Sequence, residues 1–238
     1  MTWVAGVDGC RSGWIAAFYD VDGGAVVVRR LERFAEVLDA SERPRVVAVD
    51  MPIGLLDTGR PGGRGPEREL RRLLGQAGRA SCVFTPPVRG ALAAPSYRQA
   101  DRINRQSSSD RLGLSRQSYN LIGKLAELDG LISPARQRRI FEAHPEFAFA
   151  LMNGGAPLAE PKKTRAGRRR RVELLRRHGL GAAAKAVRSF ARRDAAPDDI
   201  LDAAALARTA LRILRGEAVR LPARPPRDSR GLRMEIWG

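Results

Sequence analysis

The sequence predicts an α/β protein, with strands in the first fifty residues and helices in most of the remainder. Three observations predict this class. Two short, almost wholly apolar runs, at 4–7 and 46–49, have the composition of strands buried on both faces. The segment Asp-Val-Asp-Gly-Gly at 20–24 is a hairpin signal between two further strand-like runs. The segment 198–215 is rich in alanine and leucine, which are strong helix formers.

The N-terminal elements follow from apolar runs and the residues that interrupt them. A glycine-bounded turn is predicted after the first strand, and a short helix before the fourth. The predicted strands are 3–8, 14–19, 25–31 and 45–50, the turn is 9–13 and the helix is 32–40.

The chain beyond Pro52 is predicted to be mainly helical. A Gly- and Pro-rich loop at 57–66 begins this part, 81–95 is irregular, and Ser115 is a candidate N-cap. Helices are predicted at 67–75, 97–104, 115–131, from Glu146, at 165–178, 182–192 and 198–215, with strands at 139–143 and 232–237. We interpret 1–238 as a single domain with a helical insertion at about 57–133.

Composition excludes several classes of protein. The chain has 238 residues, which suffice for a buried core, and its hydrophobic fraction of 43% is too high for a disordered chain. No apolar run approaches the roughly 18 residues that a membrane span needs, and the N-terminus lacks the pattern of a signal peptide. Two cysteines cannot supply a disulfide framework or a cysteine-based zinc site. We therefore expect a soluble cytoplasmic protein without a membrane partner; the sequence does not indicate its oligomeric state.

The basic charge is concentrated in one segment. The formal net charge is +17, and 39 of the 43 basic residues are arginine, a bias that is also typical of GC-rich genomes. Residues 160–193 contain 13 basic and two acidic side chains, a net charge of +11. Such a block attracts polyanions through counterion release, but a solvated helix face explains it equally well.

Asp8 and Asp50 each end one of the apolar runs. Ligand sites in open α/β sheets lie at the carboxyl ends of such strands, so neighbouring strands would bring these two carboxylates together. Two close negative charges favour a cation between them, and Mg²⁺ or Mn²⁺ prefers such oxygen ligands. The plainer interpretation is that both aspartates only begin turns.

A third acidic group opens the late helix, at Asp198, Asp199 and Asp202. Acids in a first turn cap free N–H groups and complement the helix dipole, and Asp198 alone satisfies that explanation. Asp202 lies beyond the first turn on an apolar face. We therefore favour Asp199 and Asp202 as metal ligands.

The segment 141–147 adds Glu142 and Glu146 near the end of the predicted fifth strand. Glu146 is a candidate catalytic residue, although helix-start chemistry also explains it. His144 is one of two histidines, and neither has a second histidine at metal-ligand spacing, so a zinc site is not expected.

Several segments together resemble the domain of unknown function 429 family, DUF429, which is described as a family of predicted ribonuclease H-like nucleases. The carrying segments are 6–14 (Gly-Val-Asp-Gly-Cys-Arg-Ser-Gly-Trp), 49–55 (Val-Asp-Met-Pro-Ile-Gly-Leu), 81–87, 114–117, 142–146, 161–164, 199–204 and 209–210. The resemblance covers nearly the whole chain. It implies a ribonuclease H-like fold: a mixed five-stranded sheet whose first three strands are antiparallel, flanked by helices.

The resemblance also implies an activity. In that fold, acids on the first strand, the fourth strand and a terminal helix bind two metal ions that hydrolyse phosphodiester bonds. The acids of this chain that match are Asp8, Asp50, Asp199 and Asp202; Holliday-junction resolvases of this fold carry a glutamate where this chain has Asp50. Nucleic acid, DNA or RNA, is the expected partner, with Mg²⁺ or Mn²⁺ as cofactor. The candidate phosphate-binding residues are Arg11, Lys124, Lys162 and Lys163.

Two alternatives remain open. The segment 8–13 also resembles the first phosphate loop of the sugar-kinase and actin superfamily, whose members need a second such domain. A phosphotransferase of that type would turn over ATP. The other alternative is a nucleic-acid-binding or scaffold protein without catalytic activity.

Overall fold

A computed structural model describes residues 1–191 and 193–238. Arg192 and the side chain of Arg188, which the basic segment includes, lie outside the described residues. In chain order the strands are β1 (Trp3–Cys10), β2 (Gly13–Asp20), β3 (Val26–Leu31), β4 (Val46–Val49), β5 (Ile140–Glu142), β6 (Arg220–Leu221) and β7 (Ile236–Trp237). The α-helices are α1 (Ala35–Leu38), α2 (Gly65–Gly75), α3 (Tyr97–Gln106), α4 (Arg116–Asn120), α5 (Ile122–Leu131), α6 (Pro145–Met152), α7 (Arg165–Arg177), α8 (Gly181–Ala186) and α9 (Pro197–Arg215).

Five strands form one mixed sheet in the order β3-β2-β1-β4-β5. β1 pairs antiparallel with β2 and β2 with β3, whereas β1, β4 and β5 run parallel. β6 and β7 form a separate antiparallel pair. The predicted α/β class and the mixed five-stranded sheet flanked by helices are confirmed.

Two hydrophobic layers cover the sheet. One face packs against α9 and its neighbours through residues such as Ile15, Phe149 and Leu201, and the other packs against α1 and α5 through residues such as Trp14, Phe34 and Leu125. β1 and β4 are buried on both faces, which is why their sequences are continuous apolar runs rather than alternating ones. None of the described helices is long and apolar enough to cross a membrane.

Several predicted element boundaries are wrong. The predicted helix 115–131 is interrupted at Leu121, whose φ of −94° and ψ of −6° leave the regular helix, although Ser115 does cap α4 by accepting from the Ser118 N–H. The predicted helix 182–192 is shorter, since α8 ends at Ala186 and a 3₁₀ turn follows at Val187–Ser189. The helix predicted at 32–40 is the single turn α1, and the strand predicted at 232–237 is only β7.

Candidate active site

The carboxyl ends of three parallel strands meet at one edge of the sheet. Val7 of β1 lies beside Val49 of β4, and Val49 lies beside Glu142 of β5. Asp8 and Asp50 are the residues after Val7 and Val49, and the Asp50 N–H donates to the Val7 carbonyl at 2.9 Å. His144 follows two residues after β5 ends. Parallel pairing therefore brings three polar side chains from distant parts of the chain to one place.

The close packing of α9 on β1 brings Asp202 to the same place. Gly6 allows this approach, because a Cβ at that position would lie 2.0 Å from the Ala207 nitrogen and 2.1 Å from the Ala203 carbonyl oxygen. The helix faces the strand with small side chains, and Ala203 and Ala207 are both fully buried. Asp202 lies at the end of this contact, one residue before Ala203, and its side chain is 1% exposed.

These side chains line a cavity of about 230 Å³, here called the acid pocket. Its polar wall contains Asp8, Asp50, Glu146, Asp202, Lys162, His144 and Gln117. Its remaining wall is formed by Gly9, Met51, Cys82, Phe84, Leu121 and Pro145. The pocket thus joins a strongly charged side to an apolar side.

The carboxylates destabilise one another's charged forms. Burial raises the pKa of Asp8 well above its usual range, and the nearby charges of Asp50 and Asp202 raise it further. Burial also raises the pKa of Asp50. Among the hydrogen bonds of the described residues, none runs from a protein donor to the Asp8 or Asp50 carboxylate, so burial and charge alone determine these shifts.

Lys162 supplies the positive charge of the acid pocket. Its Nζ donates to Asp202 Oδ2 at 2.7 Å and lies 3.9 Å from Asp198 Oδ2. Burial favours the neutral amine, but Asp202, Asp8 and Asp50 outweigh it and raise the pKa of Lys162. Burial raises the pKa of Asp202 to about 6, against the lowering effect of Lys162. The second carboxylate oxygen of Asp202, Oδ1, is buried and has no hydrogen-bond partner among the described residues.

The segment that carries Lys162 is held by the first turn of α7. Thr164 caps the helix by accepting from the Gly167 N–H at 3.0 Å, and its hydroxyl donates to the Pro161 carbonyl at 2.8 Å. A side chain at position 167 would collide with Pro161, since a Cβ would lie 2.1 Å from its carbonyl oxygen. The basic helix and the lysine of the acid pocket are therefore parts of one local structure.

Asp199 and Asp202 take different roles. Asp199 Oδ2 accepts from the Ala196 N–H at 2.8 Å, which is the capping arrangement of a helix start. Asp199 does not line the acid pocket, although its charge adds to the raised pKa of Asp8. Of the two favoured acids of α9, the structure brings only Asp202 into contact with the cavity.

Glu146 and Glu142 are both paired with arginine. Glu146 lines the acid pocket, and its Oε1 accepts from the buried Arg171 at 2.6 Å, with Arg79 at 3.5 Å. Glu142 points elsewhere: it accepts from the Ile53 N–H at 2.7 Å and binds the buried Arg64. Glu146 is thus neutralised within the wall of the acid pocket, and Glu142 lies outside its lining.

The remaining candidate phosphate ligands lie outside the lining of the acid pocket. Lys124 packs its stem over Gly9 and places its Nζ 5.3 Å from the centre of the Trp14 ring, a cation–π contact. Arg11 is exposed in the turn between β1 and β2, and Lys163 is exposed beside Lys162. Of the four candidates, Lys162 alone lines the cavity.

The donor chemistry of the acid pocket fits a divalent cation, although no three-ligand cage is preformed. Among the described residues, no group of three or more His, Cys, Asp or Glu side chains is arranged to hold a metal ion. Mg²⁺, however, typically binds one or two carboxylates, several waters and substrate phosphate. Asp8 and Asp50 offer two such carboxylates, and Asp202 Oδ1 is a buried oxygen without a donor.

The basic segment forms an open cleft beside this site. A cavity of about 730 Å³ is lined by Glu160, Arg165, Ala166, Arg169, Arg170 and Glu173. Arg165 and Arg169 are exposed, whereas Arg171 is fully buried against Glu146. The charge of α7 is therefore divided between a solvent-facing surface and a structural ion pair.

Sequence reasoning gave no role to His144, Gln117 or Phe84, which all line the acid pocket. His144 follows a strand-like run, as Asp8 and Asp50 do, and that shared position was the available signal. Gln117 and Phe84 come from the segment 57–133 and lie in two of the segments that carry the family resemblance, 114–117 and 81–87, which was the available signal.

Comparisons with known proteins give one match. A family model described as "Protein of unknown function (DUF429)" matches residues 6–227. Neither the curated proteins nor the solved structures contain a match to this chain.

Proposed function

The chain belongs to the DUF429 family of proteins of unknown function, and on that premise we propose that it is a divalent-metal-dependent nuclease of the ribonuclease H-like type. One observation carries the proposal. Three carboxylates from separate elements, Asp8, Asp50 and Asp202, line one cavity in which a single ammonium, that of Lys162, opposes them. Such excess negative charge is costly unless a cation or a functional demand maintains it.

Asp8 and Asp50 are the residues that would hold the cation, with Asp202 Oδ1, the oxygen that Lys162 does not bind, as a third candidate ligand. Bound Mg²⁺ or Mn²⁺ supplies an activated water and stabilises the leaving oxygen; with two ions each takes one of these roles. Lys162, whose ammonium lines the same cavity, orients the scissile phosphate. Asp202 holds Lys162 in position through their 2.7 Å hydrogen bond.

The cleft on α7 supports nucleic acid as the substrate. Arg165 and Arg169 face solvent within the same local structure that positions Lys162. Such a surface contacts the phosphate backbone without reading sequence. Both cysteines are free, which suits the reducing cytoplasm that we propose as the compartment.

Cleavage of labelled single-stranded, duplex and branched DNA and RNA with Mg²⁺ or Mn²⁺ tests the proposal. We expect Asp8→Asn and Asp50→Asn to lower the rate more than about a hundredfold, because even residues behind metal ligands contribute 10- to 100-fold. Asp20→Asn is the matched control: Asp20 is also a buried aspartate of this sheet, but it lies opposite Trp3 at the other end of β1. Cleavage that survives Asp8→Asn, or that continues in EDTA, would refute the proposal.

The partner is tested separately by the salt dependence of binding. Arg165→Glu with Arg169→Glu should weaken nucleic-acid binding and reduce the slope of log K against log salt by about one for each phosphate that is no longer neutralised. Arg98→Glu with Arg102→Glu makes the same charge change on exposed positions of α3 and should leave the slope unchanged. If the double substitution in α7 abolishes binding but the wild-type protein cleaves none of the nucleic acids, the non-catalytic alternative is the correct one.

A further inference from the structure

His144 is a polar side chain of the acid pocket that the proposed mechanism does not use. It is half-buried and lies at the start of α6, where it serves as the N-cap of that eight-residue helix. The charged groups that line the same pocket are Asp8, Asp50, Glu146, Asp202 and Lys162, and the charges of His144 and Asp50 interact directly. A histidine at such a position has two ring nitrogens with separate environments, and the one bound to the helix determines what the other can do.

The helix determines the tautomer of His144. Its Nδ1 accepts from the Glu146 N–H at 3.2 Å. A nitrogen that accepts a hydrogen bond carries a lone pair and no proton, so the neutral ring must carry its proton on Nε2.

This arrangement restricts the chemistry of the ring. An Nε2 that bears the proton has no lone pair for a metal ion and cannot act as a general base. It also cannot act as a general acid, because loss of that proton would leave an imidazolate. Both roles require a proton on Nδ1, which would break the bond to Glu146 N–H. Nε2 is therefore left with one function, hydrogen-bond donation.

We infer that His144 is a neutral hydrogen-bond donor whose Nε2–H binds an anionic phosphoryl oxygen of the substrate in the acid pocket. The inference rests on the proposed function and adds a residue to it. Donors aimed at the oxygen where charge develops are worth most in such a buried site, because they need no reorganisation during the reaction. Lys162 and His144 would then hold the phosphate from two directions.

Three variants separate donation from helix capping. Asn is a good N-cap but places no donor at the position of Nε2, whereas the longer Gln carries its amide nitrogen near that position and is a poor cap. We expect His144→Ala and His144→Asn to lower kcat/KM by about 10²- to 10³-fold, the usual loss for one such donor. His144→Gln should recover activity to within about tenfold of the wild type. The reverse order, recovery by Asn and not by Gln, would show that His144 only caps α6 and would overturn the inference.

The tautomer of His144 can be measured by NMR, without an activity assay. His178 is the second histidine, so His178→Gln assigns the two-bond ¹H–¹⁵N signals of labelled full-length protein. Near neutral pH we expect the pattern of a neutral ring protonated on Nε2, and we expect inorganic phosphate to shift the Nε2 signal. A proton on Nδ1, or on both nitrogens, would overturn the inference even in an active enzyme. If the protein shows the expected tautomer and phosphate shift but cleaves no nucleic acid, the proposed function alone is refuted.

Discussion

Two buried clusters of carboxylates lie near the ends of β4 and β5, and they are built differently. The Arg64 cluster consists of Arg64, Glu67 and Glu142. Its guanidinium donates to Glu67 at 2.8 Å and to Glu142 at 3.0 Å, and also to the carbonyls of Ile53 and Gly54. In the acid pocket, Asp202 accepts from Lys162 and Glu146 accepts from Arg171, but Asp8 and Asp50 receive no such donor among the described residues.

Burial does not distinguish the two clusters. It raises the pKa of Glu142 to about 8 and that of Asp202 to about 6. The difference lies in the hydrogen-bond donors: a planar guanidinium satisfies two carboxylates at once, whereas one ammonium faces three. Both carboxylates of the Arg64 cluster bind the guanidinium, although Glu67 Oε2 has no hydrogen-bond partner among the described residues, whereas Asp8 and Asp50 in the acid pocket have no donor on either oxygen there. This contrast separates a structural ion pair from a candidate active site.

The largest effect should come from breaking the Arg64 cluster. We expect Arg64→Met to lower the free energy of unfolding by about 3–5 kcal/mol, since it leaves two carboxylates buried without their partner. Urea titration measures the change. Arg68→Met, which removes an exposed arginine from α2, the helix that Arg64 precedes, is the control and should cost less than about 1 kcal/mol. Equal stability of Arg64→Met and the wild type would show that the clusters do not differ in this way.

An intermediate effect should come from removing the internal cation of the acid pocket. Lys162→Met frees Asp202 of its ammonium, and we expect Mn²⁺ to bind about tenfold more tightly, which is about 1.4 kcal/mol. Calorimetry of the full chain measures this affinity. Lys163→Met removes the exposed neighbouring charge and should change the affinity little. If Lys162→Met and Lys163→Met both bind Mn²⁺ with the affinity of the wild type, Lys162 does not compete with a metal ion.

The smallest effect should be a gain in stability with Asp8→Asn in EDTA. The pKa of Asp8 is raised in the folded state, so the native protein binds this proton more tightly than the unfolded chain does. The wild type therefore loses stability as the pH rises above about 4, the unfolded value, through the folded pKa. The asparagine variant avoids this loss. Thermal unfolding should show equal stabilities near pH 4 and an advantage of about 1 kcal/mol for the variant at neutral pH, within the usual range of one stabilising substitution. If Asp8→Asn is less stable than the wild type at neutral pH, other groups already stabilise the ionised Asp8 carboxylate in the folded protein.

The sequence predicted the elements that carry strong periodic signals. The apolar runs at 4–7 and 46–49 indicated buried strands, and both lie inside strands of the sheet. Because Asp8 and Asp50 follow directly after those runs, their proximity required only that the two strands be parallel neighbours. Parallel pairing of β1 with β4 meets that requirement.

Other features depend on contacts that no local pattern encodes. Gly123 weakens a helix near Leu121 but does not fix where it is interrupted, and the chain leaves the helix at Leu121, whose side chain lines the acid pocket. Asp199 and Asp202 look equivalent on one helix, but capping occupies the first and the pocket receives the second. Glu142 and Glu146 are separated by three residues and bind different arginines.

The sequence by itself determined the α/β class, the apolar runs that precede Asp8 and Asp50, and the concentration of arginine on one helix, although β1 extends past the predicted end at Asp8 to Cys10. Hydrophobic patterning and local capping chemistry suffice for these, because they act over a few residues. The tertiary structure alone decided which charges are compensated. A charge's partner is whatever group the packing of distant segments places within hydrogen-bonding distance, and for Asp202 that group is Lys162, 40 residues away.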